Sequence, residues 1–396
     1  MDLFKKCYDF DLADKYKELG IYPYFHSLES KQDIVVEMEG KREIMIGSNN
    51  YLGLTSDPRV IQSAVDATEK FGTGCSGSRF LNGTTVGHIE MEKELAEFLN
   101  KEDCVTMSTG FQTNLGVISA LCGRGDVVVC DKENHASIYD AIRLSYADMV
   151  RFKHADMNDL EEKLKNIPKE KGILIVTDGV FSMGGDICNL PKLVEFKHKY
   201  GARIMIDDAH ALGILGEHGR GTAEYFNLED EVDIIAGTFS KSLASLGGYC
   251  AGDKKIIDYI RHNSRPFIFS ASIQPASIAA VRKSLEIIKT EPERRIHLLE
   301  ITEYMRKALK SRGIKIREEA NTPIIPIYTY EPEVTLKACK MLFDRGVYVN
   351  PVLPPATPPG ECLIRTSYTA THTEELMDEA ADIIKDVFAE LGLLNR

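Results

Sequence analysis

Tryptophan is absent from this chain of 396 residues, and so are several patterns that settle a protein's class at a glance. No apolar run approaches the roughly 18–20 residues that cross a bilayer. Residues 1–31 carry charges throughout and hold no signal-peptide core, so no membrane span and no export are expected. The nine cysteines are an odd number with no Cys-x-x-Cys pair. That argues against a disulfide framework and for reduced, mostly buried thiols in a cytoplasmic protein. The ten histidines show no His-Glu-x-x-His or similar spacing, and no metal site is expected. Positive charge is in deficit: the net charge of −12 excludes a broad phosphate-backbone surface, hence nucleic acid as a partner. Repeats and low-complexity tracts are missing too.

What is present reads as globular, with 43% hydrophobic and 27% charged residues, enough of both for a core and a solvated surface. The length suits two or three domains, or one large domain with appendages. Leu3, Phe4, Tyr8, Leu12, Tyr16 and Leu19 space out as a short amphipathic helix, expected to pack on the domain body. From about residue 104 to 252, short apolar runs alternate with amphipathic stretches. Val127–Cys130, Ile173–Val176, Ile204–Ile206 and Val232–Ile235 are strand candidates, separated by helices such as 159–166 and 190–200. Continuously apolar strands between helices predict a mostly parallel sheet covered on both faces, with ligands bound beyond the strands' carboxyl ends. After about residue 286 the texture changes to a charged helix over 286–312, strands over 322–328, 347–350 and 362–366, a proline-rich loop over 351–360, and helices over 333–345 and 373–391. The expected organisation is therefore an N-terminal helix and extended segment over 1–47, a large sheet domain over 48–285 and a small α/β domain over 286–396.

Polar residues gather at the ends of the predicted strands. Lys241, in Gly-Thr-Phe-Ser-Lys-Ser, follows a buried strand among hydroxyls and glycines. A desolvated amine there forms an imine with an aldehyde, although for this segment in isolation a loop lysine without a role is the plainer reading. Thr238 and Ser240 offer hydroxyls to a phosphate. Asp207, ending a strand in Asp-Asp-Ala-His, needs a cationic partner; a protonated pyridine nitrogen is one, and a helix cap is the plainer alternative. His210 lies three residues on, within reach of the same ring. Gly110 and Phe111 open a helix whose first N–H groups suit an anion. His135 follows another strand and either stacks on a ring or is a core histidine. Arg365, inside an apolar strand, wants a carboxylate from a substrate or from the protein.

Taken in order, these segments resemble the α-oxoamine synthases among the fold-type-I enzymes of pyridoxal 5′-phosphate (PLP). The resemblance runs from about Ile46 to His372. It includes Ser-Asn-Asn-Tyr-Leu-Gly-Leu at 48–54, the glycine-rich 73–83 segment, Gly-Val-Phe-Ser-Met at 179–183 and Arg-Pro-Phe-Ile-Phe-Ser at 265–270. Pro-Pro-Ala-Thr-Pro at 354–358 and Leu-Ile-Arg at 363–365 complete it. It implies an aspartate-aminotransferase-like α/β fold, with a large mostly parallel sheet domain and a smaller C-terminal α/β domain. It implies that Lys241 is the Schiff-base lysine, Asp207 the pyridinium partner, His210 the donor to the phenolic oxygen and His135 the ring-stacking residue. Gly110, Phe111, Thr238 and Ser240 become phosphate ligands, Ser182 a residue beside the cofactor, and Arg365 and Asn50 substrate-binding residues. Asn50, Tyr51 and 270–272 are expected near an interface between two subunits that share active sites.

The activity implied is condensation of a small amino acid with an acyl thioester, with loss of carbon dioxide. Within the family, Gly-Thr-Phe-Ser-Lys-Ser and Pro-Pro-Ala-Thr-Pro look most like bacterial serine palmitoyltransferases, which points to L-serine and acyl-CoA. Two positions depart from the pattern: Leu353, where some of those enzymes carry arginine, and Asp208, where the family usually has glutamate. The alternatives are an 8-amino-7-oxononanoate synthase or glycine C-acetyltransferase, a non-catalytic partner subunit and, further off, a plain aminotransferase.

Overall fold

The computed structural model describes residues 2–317 and 322–394. They form two compact units, one of residues 49–297 and one of the chain up to Ser48 together with Leu298 onward. The boundary expected at 285–286 falls inside the helix Pro275–Thr290.

The first unit is built on a seven-stranded sheet, in the order Asp103–Met107, Gly248–Gly252, Ile234–Thr238, Arg203–Asp207, Ile173–Asp178, Val127–Asp131, Asp148–Phe152. Only Gly248–Gly252 runs antiparallel to its neighbours; the other pairings are parallel. The four strands expected from the sequence are present, the last displaced to Ile234–Thr238. Central strands such as Val127–Asp131 are buried along their whole length, as parallel strands covered on both faces must be. Val128, Val176, Met205 and Ala236 share one core with Val117 and Ile118 of the covering helix Gly110–Leu121.

The sequence gives little warning of Gly248–Gly252, because Gly-Tyr-Cys-Ala-Gly has low strand propensity. Its small residues have a packing reason. A Cβ on Gly248 would stand 2.8 Å from the Gly110 Cα and 2.5 Å from Thr113 Oγ1, so the helix start lies directly on this strand.

The second unit holds two small sheets. In one, Val35–Met38 pairs antiparallel with Lys41–Met45, which pairs parallel with Val347–Tyr348. In the other, Cys362–Ser367 lies between Ile324–Tyr330 and Asn350–Val352. Chain start and chain end are thus hydrogen-bonded into one body.

Two expectations are corrected. The predicted helix 286–312 is two, ending at Thr290 and restarting at Pro292; proline has no N–H for the previous turn but fits a first helical position. The amphipathic helix at the start is also two short pieces, Lys5–Tyr8 and Leu12–Glu18, and neither buries a side chain. Leu3 is 74% exposed and Tyr8 79%. The break over 9–11 leaves helices too short to lay a continuous stripe on anything. No helix among the described residues is long and apolar enough to cross a membrane.

Candidate active site

The strands ending at Asp131, Asp178, Asp207 and Thr238 deliver their last residues to one edge of the large sheet. A cavity of about 230 Å³ opens there. Every cofactor residue expected from the sequence lines it: Gly110, Phe111, His135, Ser182, Asp207, His210, Thr238, Ser240 and Lys241. The amine and the carboxylate on which the sequence argument depends therefore face one space. Lys241 is held by a folded loop rather than a free one. Phe239 is fully buried and stacks on Tyr249 at 6.0 Å between ring centroids. The Phe239 N–H donates to the Gly247 carbonyl at 2.9 Å, and its own carbonyl accepts from Ser245 N at 3.1 Å.

One wall of the cavity is an anion cradle. Thr109 caps the helix Gly110–Leu121, its hydroxyl accepting from Gln112 N at 3.0 Å. A Cβ on Gly110 would stand 2.7 Å from the Thr238 Cβ, so only glycine lets the helix start and the lysine loop meet. Thr238 Oγ1 lies 3.0 Å from Ser240 Oγ. Backbone N–H groups at a helix N-terminus beside paired hydroxyls make a phosphate site.

The other wall is a hydrogen-bonded chain. Asp207 accepts from Asn114 Nδ2 at 2.6 Å and from Ala209 N at 3.0 Å. The same Asn114 Nδ2 donates to Ser137 Oγ at 2.9 Å, and Ser137 Oγ lies 2.7 Å from His135 Nδ1. The Ser137 N–H also donates to that Nδ1, at 3.3 Å. A backbone N–H only donates, so Nδ1 accepts and the proton of the neutral ring sits on Nε2. Burial lowers the His135 pKa below that of a free imidazole and Lys241 lowers it further, against the opposing pull of Asp207. His135 is thus a neutral ring of fixed tautomer at the mouth of the helix Ala136–Ser145. Across the cavity, the fully buried Tyr51 places its hydroxyl 2.7 Å from His210 Nδ1.

The turn carrying Ser182 is pinned from behind. His154 Nδ1 is 2.9 Å from Asp131 Oδ1, and its Nε2 is 3.0 Å from Asp186 Oδ2, while its ring meets Phe181 edge-on at 4.5 Å. Burial opposes charge on His154, but the hydrogen bond to Asp131 and the ion pair with Asp186 outweigh it and raise the pKa to about 10. A raised pKa means stability present in full below about pH 6.5 and lost as pH climbs through about 10, on the order of 5 kcal/mol at most. Urea midpoints of wild type and His154→Gln are therefore expected to differ most at about pH 5–6.5, where His154 is charged in both states and the carboxylates are still ionised, and to converge above pH 10. A difference unchanged by pH would show that the pair is not carrying charge.

Two expected substrate residues lie outside the cavity lining. Asn50 is buried in the same unit and accepts from Thr55 N at 3.3 Å. Arg365 belongs to the other unit, on the strand Cys362–Ser367, where its Nη1 lies 3.4 Å from Ser367 Oγ. Sequence reasoning passed over Asn114, Ser137 and His154. Asn114 had a usable signal, a buried polar residue in a helix that otherwise turns Leu115, Val117 and Ile118 to the core. Ser137 had none, since the Asn114 that ties it to Asp207 lies 23 residues away, and neither had His154, whose partners come from other elements. Among the described residues, no group of three or more His, Cys, Asp or Glu is gathered to hold a metal ion.

Comparison with known proteins agrees with this geometry. Residues 41–384 match the family model of class I and II aminotransferases. The chain is 51% identical to a serine palmitoyltransferase of Sphingobacterium spiritivorum over 96% of its length and 95% of the relative's. It is 43% identical to 8-amino-7-oxononanoate synthase 1 of Bacillus velezensis, over 96% and 97%. The serine palmitoyltransferase of Sphingomonas wittichii superposes with a TM-score of 0.96 at 36% identity, all of both chains being covered. A serine palmitoyltransferase structure holding PLP as an internal aldimine gives the same TM-score, identity and coverage. The chain belongs to the class I and II aminotransferase family and, within it, to the PLP-dependent α-oxoamine synthases, which are acyltransferases.

Proposed function

We propose that this enzyme condenses L-serine with an acyl-CoA thioester, releasing carbon dioxide and coenzyme A to form an α-amino ketone, as serine palmitoyltransferases do in sphingolipid biosynthesis. The observation that carries the reading is the meeting of Lys241 and Asp207 in one cavity beside the Gly110–Thr238 cradle. That donor set fits PLP: an amine for its aldehyde, a carboxylate for its ring nitrogen and a helix start with hydroxyls for its phosphate. Bound PLP supplies an electron sink for the charge left on the amino-acid Cα when its proton departs.

The chain's own residues do the rest. Gly110, Phe111, Thr238 and Ser240 hold the phosphate, and Ser182 sits beside the ring. His135 would cover one face of the ring, with its fixed tautomer leaving Nε2–H as a donor. His210 would donate to the phenolic oxygen. Asp207, oriented by Asn114, keeps the ring nitrogen cationic. With PLP bound, Lys241 Nζ would be the base that takes the Cα proton. Arg365 and Asn50 are assigned to the substrate carboxylate and its surroundings by resemblance. Cα would then bond to the thioester carbonyl carbon as the C–S bond breaks and coenzyme A leaves as its thiolate, after which the Cα–carboxylate bond would break to release carbon dioxide and a proton would return to Cα.

We infer a homodimer with shared active sites. Leu81 and Phe269, 76% and 78% exposed, are large apolar side chains that a second subunit would cover. We place the enzyme in the cytoplasm, where its free cysteines remain reduced.

A panel of serine, glycine and alanine against thioesters of several lengths tests the assignment, with carbon dioxide release as the readout. L-Serine with long-chain acyl-CoA is expected to give the highest kcat/KM, by at least about tenfold, the net worth of one hydrogen bond to its hydroxyl. Preference for alanine with a shorter thioester would favour the second reading, an 8-amino-7-oxononanoate synthase, which the 43% identity to that enzyme supports.

A further inference from the structure

Two aspartates end adjacent strands in register. Asp178 closes Ile173–Asp178, Asp207 closes Arg203–Asp207, and they are partners across the parallel pairing. Both line the cavity, at 4% and 7% exposure. Two carboxylates this close and this buried do not both stay ionised, so one carries the proton.

The donors around them decide which. Asp207 receives two hydrogen bonds, from Asn114 Nδ2 and Ala209 N. Asp178 receives one, from His135 N to Oδ2 at 3.1 Å. Its Oδ1 is buried and has no hydrogen-bond partner. Ionised, Asp178 would leave a buried charged oxygen that no protein group donates to, a costly arrangement. Its surroundings agree. Burial pushes the Asp178 carboxyl well above the usual range, and Asp207 adds to this. Lys241 and the His135 N–H oppose it, and Asp131 on the strand to the other side raises it again. Tyr139 and Cys188, the other titratable groups that sense Asp178, are held neutral by burial.

We propose that Asp178 is a positioning residue that enters the site as a neutral carboxylic acid, anchoring the His135 backbone through Oδ2 and leaving Asp207 the only carboxylate charge for the PLP ring nitrogen. Its consequence for the ring rests on the PLP reading above; the protonation itself does not.

Asp178→Asn has the same shape and no charge at any pH. It is expected to bind PLP within about threefold of wild type and to keep the absorption band of the lysine-bound cofactor. Asp178→Ala, which frees the His135 backbone, is expected to weaken PLP about tenfold, the loss of one hydrogen bond to a buried group. A second measurement needs no cofactor. The infrared spectrum of the PLP-free protein at neutral pH should show a protonated-carboxyl stretch that disappears in Asp178→Asn and persists in Asp207→Asn. The proposal is overturned if wild type minus Asp178→Asn shows no such band, or if Asp178→Asn misfolds or loses PLP as severely as Asp178→Ala. Wild type that forms no lysine-bound PLP band would sink the functional reading instead, and the infrared difference would still decide Asp178.

Discussion

Lys241→Ala is expected to abolish turnover, by about 10⁴-fold or more, while leaving a folded protein that still takes up PLP without bonding to it. The two halves of this expectation have separate causes. Lys241 has two assignments, the covalent link to the cofactor and the base at the substrate Cα. Loss of a positioned base alone costs about 10²–10⁴-fold. The phosphate cradle is untouched, because Gly110, Thr238 and the cap at Thr109 are fixed by packing that does not involve the amine: the close approach of Gly110 to Thr238 and the Thr109 bond to Gln112 N. Nor does the fold rest on Lys241, since its loop is anchored by the buried Phe239. Absorbance should therefore report the free aldehyde form of bound PLP, and equilibrium dialysis should recover near-stoichiometric cofactor. An alanine variant that retained activity would mean that another amine does this work.

The sequence made this site legible for a physical reason. Parallel strands buried on both faces are continuous apolar runs, so their carboxyl ends, and the polar residues just past them, can be read directly. Lys241, Asp207, His135 and Ser182 all belong to that set, and all line one cavity. What escaped notice was of two kinds. Asp148–Phe152 is a half-exposed edge strand, and Gly248–Gly252 is small because a helix presses on it; neither carries an apolar run. Asn114, Ser137 and His154 act through partners on other elements, and pairings across 23 or 93 residues leave no local pattern. Pro292 shows the reverse case. Its meaning as a helix start was local, yet the charged periodicity on both sides masked it.

Asp207→Asn is expected to lower kcat by about 10²–10³-fold, with a smaller effect on PLP binding. The magnitude is that of removing one preorganised electrostatic partner from a buried site. The variant keeps the side-chain volume but removes the charge that favours a proton on the ring nitrogen. It also turns one acceptor into a donor, so that the Asn114 amide, now 2.6 Å from Asp207 Oδ2, meets a group that does not suit it. Since Asn114 also bonds Ser137, which bonds His135, the disturbance should reach the stacking ring. Asp207 is one of the influences raising the His135 pKa, against burial, and without it His135 should become harder still to protonate. The split between kcat and PLP affinity is the informative readout. A variant with unchanged kcat and weakened PLP would make Asp207 a cofactor tether. A large loss of kcat with PLP retained would assign its charge to the chemistry at Cα.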